Sequence, residues 1–326
     1  MPRSSSARQL VTLASANFSP VYENAKATLE KMRANAVEAA EQGADLVVFP
    51  EGALSGCRSC PECAELGAVC DACLASGETV PGPSSLALAE LARERDLYVV
   101  FGLRERDARE RRLYNAAAVV GPEGVLGSYR KVHLGEPPWV TEGVTFTPGA
   151  SLPLFPTRFG PIGVQICYDF WFNPELTRLL ALKGARLIVC PVGSFAAPGR
   201  PESMRASALA RAQENLVYVA VSNSVGGPGA AGSGYAGAAL TEELRPNHYA
   251  GHSLIAGPAF PRFGQLLAEA GESEELIVAS LNLKQLARFE RVFDYRRWRA
   301  GRLAGASRLI ADEFAALADA AEREGS

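Results

Sequence analysis

The sequence predicts an α/β protein: a mixed two-sheet core covered by helices and folded as one domain. Three observations lead there. Short apolar runs alternate with longer amphipathic stretches. A hairpin signal sits among the strand–helix units, which a purely parallel sheet would not carry. No linker or repeat of solenoid period divides the 326 residues.

The elements follow in order. Leu10–Ala16 (LVTLASA) reads as the first strand, after a ragged start. Ala25, Leu29, Met32, Ala36 and Ala39 then recur near helical spacing within Tyr22–Gln42, and Gly43 ends that helix. Asp45–Pro50 (DLVVFP) is a buried strand. Pro81-Gly82-Pro83 turns the chain into a helix over Ser84–Arg95, followed by a strand at Tyr98–Gly102. Asn115–Val120 and Val125–Tyr129 pair as a hairpin around Gly121-Pro122-Glu123-Gly124. Strands are expected at Gly160–Cys167, Leu187–Pro191, Val217–Asn223, His252–Ala256 and Leu276–Leu281, with helices at Pro174–Lys183 and Ser203–Asn215. Gly226–Gly237 reads as a glycine-rich surface loop, and Ser307–Glu324 as a terminal amphipathic helix.

Composition narrows the function. A net charge of −3 with 21% charged residues argues against a strongly basic nucleic-acid binder. No apolar run reaches the roughly 18–20 residues that span a bilayer, so no membrane partner is expected. The start MPRSSSARQLVTLASANF lacks a long apolar core and a cleavage site, which predicts a cytoplasmic protein. Only five of the 33 basic residues are lysine, so a lysine inside a motif stands out.

Three polar residues end strongly apolar segments. Glu51 follows DLVVFP, where partial desolvation raises a carboxylate towards general-base range. Lys131 lies in SYRKVHLGE, and Cys167 closes GPIGVQIC. Taken singly, each has an ordinary reading: a solvated strand-end glutamate, a surface lysine, a small core thiol. Taken together, an acid, a cation and a thiol at neighbouring strand ends suit acyl transfer. The thiol attacks, the carboxylate moves the proton, and the ammonium with the backbone N–H after the thiol holds the oxyanion. A nearby ammonium also favours the thiolate.

These stretches resemble the nitrilase, or carbon–nitrogen hydrolase, superfamily. FPEGALSG, YRKVHL and GVQICYDFWFNPE are similar to its glutamate, lysine and cysteine motifs, in that order, with Lys131 80 residues after Glu51 and Cys167 36 residues later. TEGVTFTPG, ARAQENLVYVAVSN and GHSLIAGP resemble supporting segments, so the similarity covers about residues 8–300. The resemblance implies an αββα four-layer sandwich with mixed sheets. It further implies Cys167 as nucleophile, Glu51 as general base and acid, and Lys131 as oxyanion stabiliser beside the Tyr168 N–H. Glu142 falls where the family has a second glutamate, orienting the substrate nitrogen or holding Lys131, with Glu136 as a nearby competitor. The family pairs face to face, so a homodimer or larger assembly is implied, with residues 301–326 a possible contact. One departure stands beside the pocket: Pro174 and Glu175 come one residue later than usual, making Asn173 an insertion or a helix N-cap. Phe170-Trp171-Phe172 lines the acyl pocket or belongs to the core; Tyr168 and Trp171 are the candidate substrate contacts.

Five of the seven cysteines fall between Cys57 and Cys73. In a cytosolic protein this density argues for metal before disulfides. Cys57 takes the place of a family tyrosine near the pocket, leaving Cys60, Cys63, Cys70 and Cys73 as the tidier ligand set for one structural zinc. Free or redox-active thiols and an iron–sulfur site remain open alternatives. No cofactor is expected for catalysis, since no nucleotide or phosphate motif is present. A papain-like pairing of Cys167 with His252 has no supporting motif.

Tyr-Asp after the cysteine looks like the amidase side of the family; true nitrilases tend towards Trp-Glu. The leading expectation is hydrolysis of a small linear carboxamide to acid and ammonia through a thioester. N-carbamoyl hydrolysis and nitrile hydrolysis are the enzymatic alternatives. A metal- or redox-sensing scaffold is the non-enzymatic one.

Overall fold

The computed structural model describes residues 10–22, 24–56, 60–135, 142–227, 248–293, 301 and 307–316. The first half of the chain runs β1 (Leu10–Asn17), α1 (Ala25–Glu41), β2 (Leu46–Val48), α2 (Pro61–Leu66), α3 (Asp71–Ala75), α4 (Pro83–Arg95), β3 (Tyr98–Arg106), β4 (Leu113–Gly121), β5 (Gly124–Arg130) and α5 (Glu142–Thr145). The second half runs β6 (Leu154–Phe155), β7 (Ile162–Val164), α6 (Tyr168–Trp171), α7 (Pro174–Lys183), β8 (Leu187–Val192), α8 (Arg200–Asn215), β9 (Tyr218–Asn223), β10 (Val225–Gly226), β11 (Tyr249–Ala250), β12 (Leu254–Ala259), β13 (Arg262–Glu269), β14 (Glu275–Asn282) and α9 (Leu283–Phe293).

Two six-stranded sheets form, in the orders β14-β1-β2-β3-β4-β5 and β13-β12-β9-β8-β7-β6. Both are mixed. β1, β2 and β3 are parallel, as are β7, β8 and β9, while antiparallel strands complete each sheet. The strand period of two assigns the faces of the first sheet. Val11, Leu13, Leu46, Val48, Tyr98 and Val100 join one cluster with Val164, Ile188 and Val219 of the second sheet. The residues between them, Ala14, Val47, Val99 and Phe101, meet Met32 and Ala36 of α1 and Leu88 and Ala92 of α4 on the other side. α7 and α8 pack through Leu180, Met204 and Ala208 against the second sheet. The layers are therefore helix, sheet, sheet, helix, as the resemblance implied.

Several elements match their expected positions closely. α1 begins after Asn24, whose side chain accepts from the Ala27 N–H at 3.0 Å. The β4–β5 hairpin closes with Gly121 opposite Gly124. The strand expected over Gly160–Cys167 is shorter: β7 stops at Val164, and Cys167 lies beyond it at the N-cap of α6. β13 and α9 lie where no element was expected. Of the terminal helix, residues 307–316 are helical and exposed, and 317–324 lie outside the described residues, as does all of Gly226–Gly237 beyond 227.

Candidate active site

The three motif residues meet at the ends of β2, β5 and β7. Glu51 follows β2 by three residues; Lys131 comes directly after β5; Cys167 follows β7 by three. Two glycines permit the approach. A Cβ at Gly102 would lie 2.4 Å from the Pro50 carbonyl oxygen and 2.3 Å from the Gly52 nitrogen, so only glycine lets β3 lie against the turn carrying Glu51. A Cβ at Gly149 would lie 2.2 Å from the Arg130 carbonyl, beside Lys131, whose own carbonyl accepts the Gly149 N–H at 2.7 Å.

Lys131 is the hub. Its Nζ donates to Glu51 Oε1 and to Glu142 Oε2, each at 2.8 Å. Lys131 and Glu51 are each only 2% exposed. Burial works against the ammonium, but Glu142 and then Glu51 outweigh it and hold the Lys131 pKa well above that of a free lysine. The hydrogen bond joins the lysine directly to Glu142. Its competitor Glu136 lies outside the described residues.

Asn115, on β4, was not anticipated. Its Nδ2 donates to Glu51 Oε1 at 2.7 Å and to Glu142 Oε1 at 2.9 Å, so one amide ties both carboxylates together. Backbone completes the set: Gly193 N–H donates to Glu51 Oε2 at 2.9 Å, and Gly135 N–H donates to Glu142 Oε2 at 2.5 Å. With Lys131 and these donors, both carboxylates are fixed in orientation before any substrate arrives.

Cys167 has φ 46° and ψ −102°, a conformation that L residues avoid and that costs on the order of 1–3 kcal/mol. The surroundings impose it. Its N–H donates to the Pro191 carbonyl at 3.1 Å, and its carbonyl accepts from Phe170 and Trp171 N–H, both at 2.9 Å. The sharp turn puts the thiol at the mouth of the sheet, with the Tyr168 N–H at the first position of α6, where no intrahelical acceptor exists. Burial raises the Cys167 pKa far above the ordinary thiol value. Glu51 adds to the rise; Lys131 opposes it without overcoming it. The ammonium does favour the thiolate, as expected, but burial and the two carboxylates Glu51 and Glu142 work against it and together outweigh it.

The residue after Tyr168 links the motifs. Asp169 is fully buried, and its carboxylate accepts from the Tyr129 hydroxyl at 2.6 Å, Val132 N–H at 3.2 Å and His133 N–H at 2.8 Å. His133 Nδ1 lies 2.9 Å from the same carboxylate, which raises the histidine pKa. Tyr129 and His133 flank Lys131 at two residues on either side, so Asp169 clamps the lysine segment to the cysteine segment. Asp169→Asn puts an NH₂ against this ring of donors and is expected to cost about 2–4 kcal/mol of stability. Denaturant unfolding of the variant checks this, and an unchanged midpoint would refute the clamp.

The remaining site residues divide. The Tyr168 ring lies 5.4 Å from Lys131 Nζ, at the site. Trp171 packs edge-on to Phe170, and its indole N–H meets no acceptor among the described residues. Phe170 is core, whereas Phe172 is 65% exposed, so the aromatic run does not act as one lining. Asn173 occupies the N-cap of α7, but its side chain donates to the Tyr168 carbonyl at 3.0 Å and does not cap. His252 faces Glu269 and Glu272, at 3.4 and 3.8 Å.

Comparison with known proteins gives the family. The family model described as carbon-nitrogen hydrolase matches residues 12–291. Omega-amidase NIT2 of Homo sapiens is 34% identical over 260 residues, covering 77% of this chain and 81% of the relative. A nitrilase of Pyrococcus abyssi is 36% identical over 262 residues, covering 79% and 84%. A solved structure of an amidase mutant from Nesterenkonia sp. carries the acetamide moiety of fluoroacetamide covalently on its active-site cysteine. It superposes with a TM-score of 0.64 at 25% identity, covering 88% of this chain and 96% of that one. The chain belongs to the carbon–nitrogen hydrolase family, within the nitrilase superfamily and on its amidase-like side.

Proposed function

We propose that the protein hydrolyses a small linear carboxamide to a carboxylic acid and ammonia, through a thioester on Cys167, within one hydrolase domain covering about residues 8–300. The observation that carries this reading is the strained Cys167 turn set against the preoriented Glu51–Lys131–Glu142 network. Glu51 accepts the thiol proton as sulfur attacks the carbonyl carbon. The oxyanion is met by the Lys131 ammonium and the Tyr168 N–H. Glu51 then returns the proton to the departing nitrogen and ammonia leaves. Water attacks the thioester with Glu51 again as base, and the thiol is regenerated. No cofactor takes part in these steps. Tyr168 and Trp171 contact the acyl group.

The Pyrococcus relative favours a second reading, in which the same thiol adds to a nitrile carbon. Ammonia release from a panel of carboxamides, N-carbamoyl amino acids and nitriles separates the two. Release is expected from the carboxamides; release from nitriles alone would replace the first reading with the second.

Further readings accompany the activity. The protein acts in the cytoplasm and assembles as a homodimer or larger oligomer. Exposed Phe172, Leu179 and Leu182 around α7, and Leu309, Ile310 and Phe314 on helix 307–316, supply apolar surface for contacts between copies. Cys60, Cys63, Cys70 and Cys73 hold a structural zinc that stays outside the chemistry.

A further inference from the structure

The cysteine loop sits closer to the active site than its sequence suggests. The four sulfurs of Cys60, Cys63, Cys70 and Cys73 all lie within 4.8 Å of one another. Cys60 and Cys70 sulfurs are 3.7 Å apart, and none of the four is in a disulfide. A tetrahedron with zinc–sulfur bonds of about 2.3 Å has edges of about 3.8 Å, so the Cys60–Cys70 separation matches one edge and every other pair lies at most about 1 Å beyond it. Donors already point at the sulfurs. Cys70 N–H reaches Cys63 Sγ at 3.2 Å, Cys73 N–H reaches Cys70 Sγ at 3.3 Å, and an Arg104 guanidinium nitrogen lies 3.9 Å from Cys73 Sγ. Such contacts place positive potential where thiolate charge would accumulate.

Arg111 ties the segment to the rest of the protein through Asp71 at 2.6 Å and the Val69 carbonyl at 3.3 Å, and Arg104 donates to Ser76 Oγ at 3.0 Å. α2 has six residues and α3 five, too short to persist alone. Among the described residues, the buried part of their small core is Cys63, Cys70, Cys73 and Leu113, with Val69 and Leu74 packed against it.

What the cluster supports is the active-site frame. Packed on it are Leu113, Val144 and Phe146. Leu113 lies two residues before Asn115 on β4, hence on the same strand face. Val144 and Phe146 follow Glu142 by two and four residues, in and just after α5. The Thr147 N–H donates to the Leu113 carbonyl at 2.8 Å, closing the two segments together. Both ends of the 2.9 Å Asn115–Glu142 hydrogen bond therefore rest on the cysteine cluster.

We propose that Cys60, Cys63, Cys70 and Cys73 bind one Zn²⁺ as a tetrathiolate, and that this centre is the footing that keeps Glu142 on Lys131. One Zn²⁺ displaces four S–H protons to give a centre of charge −2, with no change of oxidation state. The ion touches no reacting atom; Val144 and Phe146 transmit its effect as positioning residues. The metal site stands by itself, while its effect on turnover rests on the hydrolase reading.

Elemental analysis of protein purified from zinc-supplemented medium is expected to give one zinc per chain, and less in Cys60→Ser. Cobalt exchanged into the site should give the visible bands and sulfur-to-metal charge transfer of a tetrahedral thiolate centre. Both readouts are independent of any substrate, so they decide the metal site even if no amide is turned over. Metal-free protein, iron in place of zinc, or octahedral cobalt spectra would each overturn it. The coupling is read with the amide found in the panel. Chelation should lower kcat about tenfold or more with a smaller change in KM, and added zinc should restore it. Phe146→Ala, which removes a contact but no ligand, should retain zinc and still lose kcat. Full kcat in both the stripped protein and Phe146→Ala would overturn the coupling and leave the metal site intact.

Discussion

Cys167→Ala is expected to lower kcat on the order of 10⁴- to 10⁶-fold while leaving the fold and amide binding in place. The Cys167 sulfur is the atom of this turn able to form the thioester, and the side chains hydrogen-bonded around Lys131 offer no thiol. Lys131 stays protonated because Glu142 and Glu51 hold it so, and both carboxylates are occupied as acceptors. The contacts that shape the turn are made by the Cys167 backbone, from its N–H to Pro191 and from Phe170 and Trp171 to its carbonyl, and alanine keeps all of them. Intact-mass measurement during turnover supplies the check. Wild type should show the added acyl mass on the peptide containing residue 167, and the variant none. An acyl adduct elsewhere would move the nucleophile.

The second large effect belongs to Glu51→Gln, with an expected loss of about 10²- to 10⁴-fold in kcat. Shape is conserved, so the loss reports on proton transfer and on acceptor count. Glu51 Oε1 takes two donors, Lys131 and Asn115, and Oε2 takes the Gly193 N–H. A glutamine has one acceptor oxygen, so its NH₂ faces a donor whichever way it is turned. Neither form can accept the thiol proton. His252→Ala is the control, because its ring lies against Glu269 and Glu272 and has no part in this network. Activity retained in Glu51→Gln and lost in His252→Ala would reverse the assignment of the base.

The layered fold and the three motif residues were legible because each rests on local signals: an apolar run, a polar residue at its end, and a recognisable motif. What was missed depends on contacts across the chain. Asn115 reads as an ordinary strand residue, and only the closure of β4 on α5 makes it the bridge between two carboxylates. Asp169 was visible in Cys-Tyr-Asp, but its work is done 36 to 40 residues away, on the segment around Lys131. β13 escaped because, as the outer strand of its sheet, it is half-buried along most of its length and shows no alternation. The cysteine spacing was readable, whereas the packing of that loop against the Glu142 segment was not, since no residue in α2 or α3 is close to Glu142 in sequence.

The charge of the catalytic network has an outcome for traffic through the site. Glu51 and Glu142 against Lys131 leave one net negative charge, buried where water screens it poorly. A carboxamide enters uncharged and meets no opposing field. The acid formed from an amide ionises beside that charge, so its release is expected to be favoured over its return. The expected result is weak inhibition by the free acid relative to its amide, read by adding the acid to the amide assay.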